Sequence, residues 1–210
     1  MTAIIDHLVY ACPDLDAAIA EITRLTGIHP QGGGQHPGLG THNALLSLGQ
    51  RTYLEIIAPD PDQAGTGDPL PFGLDHLTAP ALRAWAAAPR DLDAAVRQAL
   101  AEGFDYGDVV TRHRRAPDDS ELSWRMTTYP HDGAVSVMPF LIDWGTQPHP
   151  ARTAPPGLRL AAFRLLAPNP EQITRQLCAT SIDVPVDHAD QPALYAVLTG
   201  QGDSRLVLSS

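Results

Sequence analysis

Two strand-like segments each hold one ionisable side chain among apolar ones: His7 in "IIDHLVYA" and Glu55 in "RTYLEIIA". An imidazole and a carboxylate can pass a proton, orient a ligand, or simply satisfy one another inside a core. Strand parity permits all three. Side chains alternate across a strand, so His7 shares a face with Ile5 and Val9, and Glu55 shares one with Tyr53 and Ile57. Burying a lone carboxylate costs several kcal/mol, so an inward-facing Glu55 needs a partner.

Further candidates surround this pair. "HPGLGTHN" places His36, His42 and Asn43 around a glycine-rich loop that leads into a strand. In "LSWRM", Trp124 and Arg125 fall on opposite faces of one strand, giving an aromatic wall or an anion clamp. "PFLIDWG" offers Phe140 and Ile142 for a cavity wall and Asp143 for its rim, whereas Trp85 and Trp144 are read as packing residues. The basic run "RHRR" at 112–115 is read as a solvated hairpin end, with an anion site as the alternative. "GGG" at 32–34 lacks a following GK[ST], so it is taken as a flexible loop or lid rather than a phosphate cradle. No GxSxG occurs, and Cys12 has no evident base beside it, which argues against a covalent nucleophile.

The elements that must position these groups recur along the chain. "DLDAA" stands at 14–18 and again at 91–95. Each copy opens a helix-like run with an aspartate able to cap the free N–H groups, and each run ends at a glycine, Gly27 or Gly103. Leu15, Ile19 and Ile22 keep helical spacing, as do Leu92, Val96 and Leu100. Strands are expected at 42–49 and 51–58, joined by a tight turn at Gly49-Gln50, and at 107–113, 121–128 and 135–142. A strand near 29–34 is disfavoured by its three glycines. The tail gives a strand, a Pro-Asn-Pro helix start with Asn169 as cap and Pro170 at the first helical position, and a hairpin. The chain thus divides into units at 1–60, 78–146 and 157–210, each of strand, helix and further strands.

Composition narrows the function. The chain has 210 residues and a net charge of −10, which argues against nucleic acid and against an anionic membrane surface. No apolar run is long enough to span a bilayer. The N-terminus lacks a signal-like core, and two cysteines without a CxxC suit free thiols in a reducing compartment. A cytoplasmic protein is expected.

The phrases "DHLVYACPDLDAA", "GTHNALLSLGQRTYLEIIAPDP", "LSWRM" and "MPFLIDWGTQPHP" resemble the vicinal oxygen chelate superfamily, and within it the glyoxalase-like domain proteins. The resemblance implies an α+β chain whose tandem βαβββ repeats form a curved mixed sheet around a cavity, with a third, shorter unit at the C-terminus. It also implies a small-molecule ligand and a homodimer.

In metal-dependent members of that superfamily, a histidine on the first strand and a glutamate on the last strand of each of two units hold a divalent ion. Carried over, this names His7 and Glu55, which suit Zn, Mn, Fe or Ni. The second unit departs from the pattern: the repeat offset puts Ala84 opposite His7, and "MPFLI" has no carboxylate before Asp143. The tail puts Ala162 opposite His7, and "RLVLSS" has no acid either. A third ligand must then come from His42, Asp143, His36 or His76. Two functions follow as expectations. One is a metal-dependent lyase, isomerase or dioxygenase acting on a small oxygenated substrate, with His7 and Glu55 as ligands and Glu55 and His42 as catalytic groups. The other is a metal-free binder of the drug-sequestering type, in which His7 and Glu55 orient the ligand by hydrogen bonds and aromatic residues stack on it; under either function His36, Asn43, Trp124, Phe140 and Asp143 are the candidate ligand contacts.

Overall fold

The computed structural model describes residues 3–63, 69–115, 121–128, 135–200 and 204–210. Strand β1 (Ile4–Ala11), helix α1 (Leu15–Thr26), and strands β2 (Gln31–His36), β3 (Thr41–Ser47) and β4 (Tyr53–Pro59) make the first unit. Strand β5 (Ala81–Ala88), helix α2 (Leu92–Ala101), and strands β6 (Val109–Arg115), β7 (Glu121–Thr127) and β8 (Phe140–Asp143) make the second. Strand β9 (Arg159–Ala167), helix α3 (Pro170–Ala179), and strands β10 (Val186–His188), β11 (Ala193–Thr199) and β12 (Arg205–Ser209) follow.

The helices form where the repeat places them. Ala17 N–H donates to the Asp14 carboxylate and Ala94 N–H to that of Asp91, each at 2.9 Å. A cap of this kind is worth about 1 kcal/mol. Helix α1 buries Leu15, Ala18 and Ile22, one face at helical spacing, and ends at Gly27, whose φ of 73° is the left-handed conformation of a helix stop. In α3, Pro170 does open the helix, but Asn169 makes no side-chain capping bond.

The first two units close into one eight-stranded barrel in the order β1-β4-β3-β2-β6-β7-β8-β5. Within each unit the first and last strands pair in parallel, β1 with β4 and β5 with β8. The units join through two antiparallel seams: β1 with β5, seven residue pairs long, and β2 with β6, a single pair between Gln35 and Arg115. The "GGG" segment is a strand, not the expected loop. It belongs to β2, and its pairing with β3 shifts register between Gly32 and Gly34. A Cβ at Gly33 would lie 2.2 Å from Asn43 Oδ1 and 2.8 Å from an Arg114 guanidinium nitrogen, so a glycine is needed there to let both side chains in.

Both faces of the barrel are buried along β1, β4, β5 and β8, whereas β6 is largely exposed. Outward-facing Leu8, Leu46, Leu54, Ile56, Trp85 and Leu141 join the helices and the third unit in one large core. Trp85 is fully buried there, edge-on to Phe163 at 5.2 Å, with Nε1–H donating to the Val137 carbonyl. The third unit has the same sequence of elements as the other two but pairs differently, as a four-stranded sheet in the order β10-β9-β11-β12. Its turn between β11 and β12 includes residues outside those described.

Cys12 sits in this core, fully buried with Sγ against the Ile57 carbonyl, and burial raises its thiol to about 12. Cys178 is exposed, and neither is in a disulfide. The folded protein should therefore take up one equivalent of iodoacetamide at mildly alkaline pH, on Cys178, and a second only after unfolding. Peptide mapping after alkylation checks this; equal labelling of both thiols in the native state would contradict the burial.

Candidate functional site

Inward-facing residues leave a cavity of about 270 Å³, at the small end for ligand pockets. Its walls are mostly apolar: Ile57 from β4, Trp124 and Met126 from β7, Phe140 and Ile142 from β8, and Phe72 from the Pro71–His76 turn of 3-10 helix. Polar groups enter chiefly from the first unit, His7 on β1, His36 on β2, Thr41 and Asn43 on β3, and Tyr53 and Glu55 on β4.

His7 and Glu55 come together because β1 and β4 are parallel neighbours with Val9 opposite Glu55. His7 Nε2 lies 3.6 Å from Glu55 Oε2. The imidazole stacks on Tyr53, centroids 4.6 Å apart, and meets Phe140 edge-on at 5.3 Å. Asn43 Nδ2 donates to Glu55 Oε1 at 2.6 Å, leaving Oε2 turned toward His7. The other amide atom, Asn43 Oδ1, is buried without a hydrogen bond among the described residues.

Asp6 supplies the second layer. The pairing of β1 with β5 slips between Ile5 and His7, and this bulge brings Asp6 and His7 side by side instead of on opposite faces. Asp6 contacts His7 Nδ1 at 2.7 Å and His149 Nε2 at 3.0 Å, and accepts from Trp144 Nε1–H at 3.1 Å. Burial pushes the Asp6 carboxyl up, but the bonds to His149 and His7 outweigh it and hold the group below the ordinary aspartate value. An ionised carboxylate only accepts, so His7 donates to Asp6 from Nδ1 and turns Nε2 toward Glu55. His149 fits the same logic, since its Nδ1 accepts from Ala151 N–H and its Nε2 must donate.

Burial keeps His36 neutral. Burial drives its imidazole down to about 4; the Glu55 charge opposes this, while Arg114 and His42 reinforce it. Its Nδ1 donates to Thr41 Oγ1 at 2.9 Å, and its Nε2 lies 3.4 Å from the Asn43 amide nitrogen and 3.9 Å from Glu55 Oε1. Burial also raises the Tyr53 phenol well above its usual value, with Asp6 and Glu55 adding to the effect.

The structure thus brings His7, Glu55, His36, Asn43, Trp124 and Phe140 to one cavity. It does not bring His42 or Asp143 there. Thr41 and Asn43 line the cavity, so His42 between them points to the other face of β3. Asp143 alternates out between Ile142 and Trp144 and accepts from Gly145 N–H. His76 is exposed. Trp144 packs, as expected, but also lines the cavity and holds Asp6. Asp6 and His149 are the parts that the sequence reading did not single out; of the basic run at 112–115, read as a solvated hairpin end, Arg112 and His113 are exposed but Arg114 is buried in the cavity wall.

The donor set decides how well a divalent ion fits. Ala84, Phe140 and Ile142 occupy the second unit's inward positions, so that unit offers no ligand. The His36 Nε2 lone pair faces the Asn43 amide. His7 Nε2 and Glu55 Oε2 are then two free donors, one short of the three that a catalytic metal usually takes. Among the described residues no group of three or more His, Cys, Asp or Glu side chains is arranged to hold a metal ion. The site as built does not fit the four-ligand set of the resemblance.

Comparison with known proteins agrees with this architecture. A family model for the glyoxalase-like domain matches residues 5–180. No curated protein matches the sequence. A hypothetical protein from Staphylococcus aureus is similar in structure, with a TM-score of 0.62 at 16% identity over 97% of this chain and 84% of that one. Methylmalonyl-CoA epimerase from Mycobacterium tuberculosis aligns at 22% identity and a TM-score of 0.43, over 67% of this chain and 87% of that one.

Proposed function

Taking as premise that the chain belongs to the glyoxalase-like domain family of the vicinal oxygen chelate superfamily, we propose that it is an isomerase or lyase that moves a proton on a small oxygenated substrate. The observation behind this reading is the Asp6–His7–Glu55 array. A base whose far nitrogen is fixed by a buried carboxylate faces a second carboxylate at 3.6 Å, inside an apolar cavity.

Each group has a role in the reading. Glu55 Oε2 removes a proton from a carbon next to a carbonyl, and the C–H electron pair passes into the enolate. Asn43 holds Oε1 and so aims Oε2. His7 Nε2 accepts a hydrogen bond from the substrate oxygen or from protonated Glu55, and Asp6 keeps it in that tautomer. The proton returns to the same carbon, on either face; where that carbon also bears a hydroxyl, transfer of the hydroxyl proton to the enolate oxygen gives an enediol whose neighbouring carbon can take the proton instead. The apolar walls keep bulk water from the enolate. A cytoplasmic location belongs to the same proposal, since no described helix is long and apolar enough to cross a membrane and both thiols are free.

The test is solvent deuterium incorporation at carbon, followed by NMR, across a panel of small hydroxy and oxo compounds. Uptake by at least one compound is expected. Compounds that raise the melting temperature without exchanging would favour the drug-sequestering reading instead. Metal analysis of the purified protein runs beside it. A stoichiometric Zn, Mn, Fe or Ni ion lost in both His7→Ala and Glu55→Ala would replace this reading with the metal-dependent one.

A further inference from the structure

Arg114 is out of place in a chain of this charge. It lies inward on β6, is 6% exposed, and lines the cavity next to the first unit's polar groups, with its guanidinium and Asn43 Oδ1 both close to Gly33. Its Nε is buried with no hydrogen-bond partner, and among the described residues the guanidinium makes neither a hydrogen bond nor an ion pair. A buried cation without a counter-ion costs several kcal/mol, and among the described residues Arg114 has none. The nearest acid in the cavity, Glu55, is engaged with Asn43 and His7 and lies beyond ion-pair distance of Arg114. Gly33 removes the one Cβ that would crowd the guanidinium. Arg112, two residues earlier on the same face, adds a second positive charge at the wall.

We propose that Arg114 is the counter-charge for a small carboxylate, so that the ligand of this cavity is an organic acid rather than a neutral carbonyl compound. A planar guanidinium matches a carboxylate in two-point fashion, and Trp124 beside it gives the acid's carbon frame an apolar surface. With the carboxylate on Arg114, beside Asn43, the oxygenated carbon lies toward Glu55 and His7. This rests on the proton-transfer reading for what happens next, but not for binding.

Binding is tested without turnover, using mandelate, its uncharged twin mandelamide, phenylpyruvate and inorganic phosphate, with calorimetry and melting temperature as readouts. Mandelate or phenylpyruvate should bind and mandelamide should bind at least tenfold more weakly. Arg114→Met should weaken the acids roughly tenfold to a hundredfold and leave mandelamide unchanged, the range expected for losing a charge-assisted contact. Arg114→Lys, which keeps the charge but not the fork, should retain the preference for the acid at reduced affinity, and it carries the test if Arg114→Met does not fold. Equal binding of mandelate and mandelamide, binding of acids that survives Arg114→Met, tighter binding of phosphate than of either acid, or no binding of any acid at millimolar concentration each overturns the proposal. A protein that selects acids through Arg114 yet exchanges no deuterium overturns the proton-transfer reading alone. Exchange without acid selectivity overturns only this one.

Discussion

Glu55→Gln is expected to fold normally and to lose roughly 10²–10⁴-fold in the rate of deuterium incorporation, the usual share of a positioned general base. The fold should tolerate the change because the amide reproduces the carboxylate's shape. Its oxygen still accepts from Asn43 Nδ2, and its NH₂ can donate to the His7 Nε2 lone pair. A like-for-like hydrogen-bond set replaces a buried charge, so the melting temperature should hold or rise. The chemistry has no such substitute, since an amide does not take a proton from carbon. His7→Gln should cost less, because it removes the hydrogen-bonding partner and leaves the base. Full exchange in Glu55→Gln, with any substrate found active in the wild type, would remove Glu55 from the mechanism.

The second large effect is on stability. The unfolded chain protonates His36 near pH 6.5, whereas the folded chain resists until about 4. Between these values the unfolded state binds the extra proton, so stability is lost as the pH falls and the loss is complete below about 4. The shift corresponds to about 3 kcal/mol, a large part of the roughly 5–15 kcal/mol that holds a typical domain. Asp6 acts elsewhere: its lowered carboxyl contributes stability that is lost only below the ordinary aspartate range. Urea unfolding at neutral pH and near pH 4 should therefore show a steep acid loss in the wild type. His36→Gln should show a loss smaller by about 3 kcal/mol. Equal losses in the two proteins would mean that His36 is solvated or charged in the fold.

The meeting of His7 and Glu55 was legible from the chain because it depends on local things: period-two patterning, a capped helix between, and a repeat that sets the order of strands. His36, Asn43, Trp124 and Phe140 reach the cavity for the same reason, by parity on their strands. His42 and Asp143 are adjacent to correct positions, and a one-residue parity error moves a side chain to the other face. The "GGG" segment misleads because glycine propensity disfavours strands, while here it serves the approach of Asn43 and Arg114. Asp6 is concealed by a bulge that breaks the alternation, and a bulge leaves no mark in the residue types. His149 lies 143 positions from the aspartate it binds, a contact that only the closed fold creates.

The two halves of the barrel have parted company in kind. The amino-terminal half keeps the acid and the imidazoles, whereas the other half presents arginine, tryptophan and hydrocarbon to the same space. Substitutions on β6 and β7 change what the cavity admits without touching Asp6, His7 or Glu55, whereas Phe140 on β8 packs against His7. Two units of like element order thus share one wall unequally, with imidazoles and an acid on one side and mostly hydrocarbon on the other.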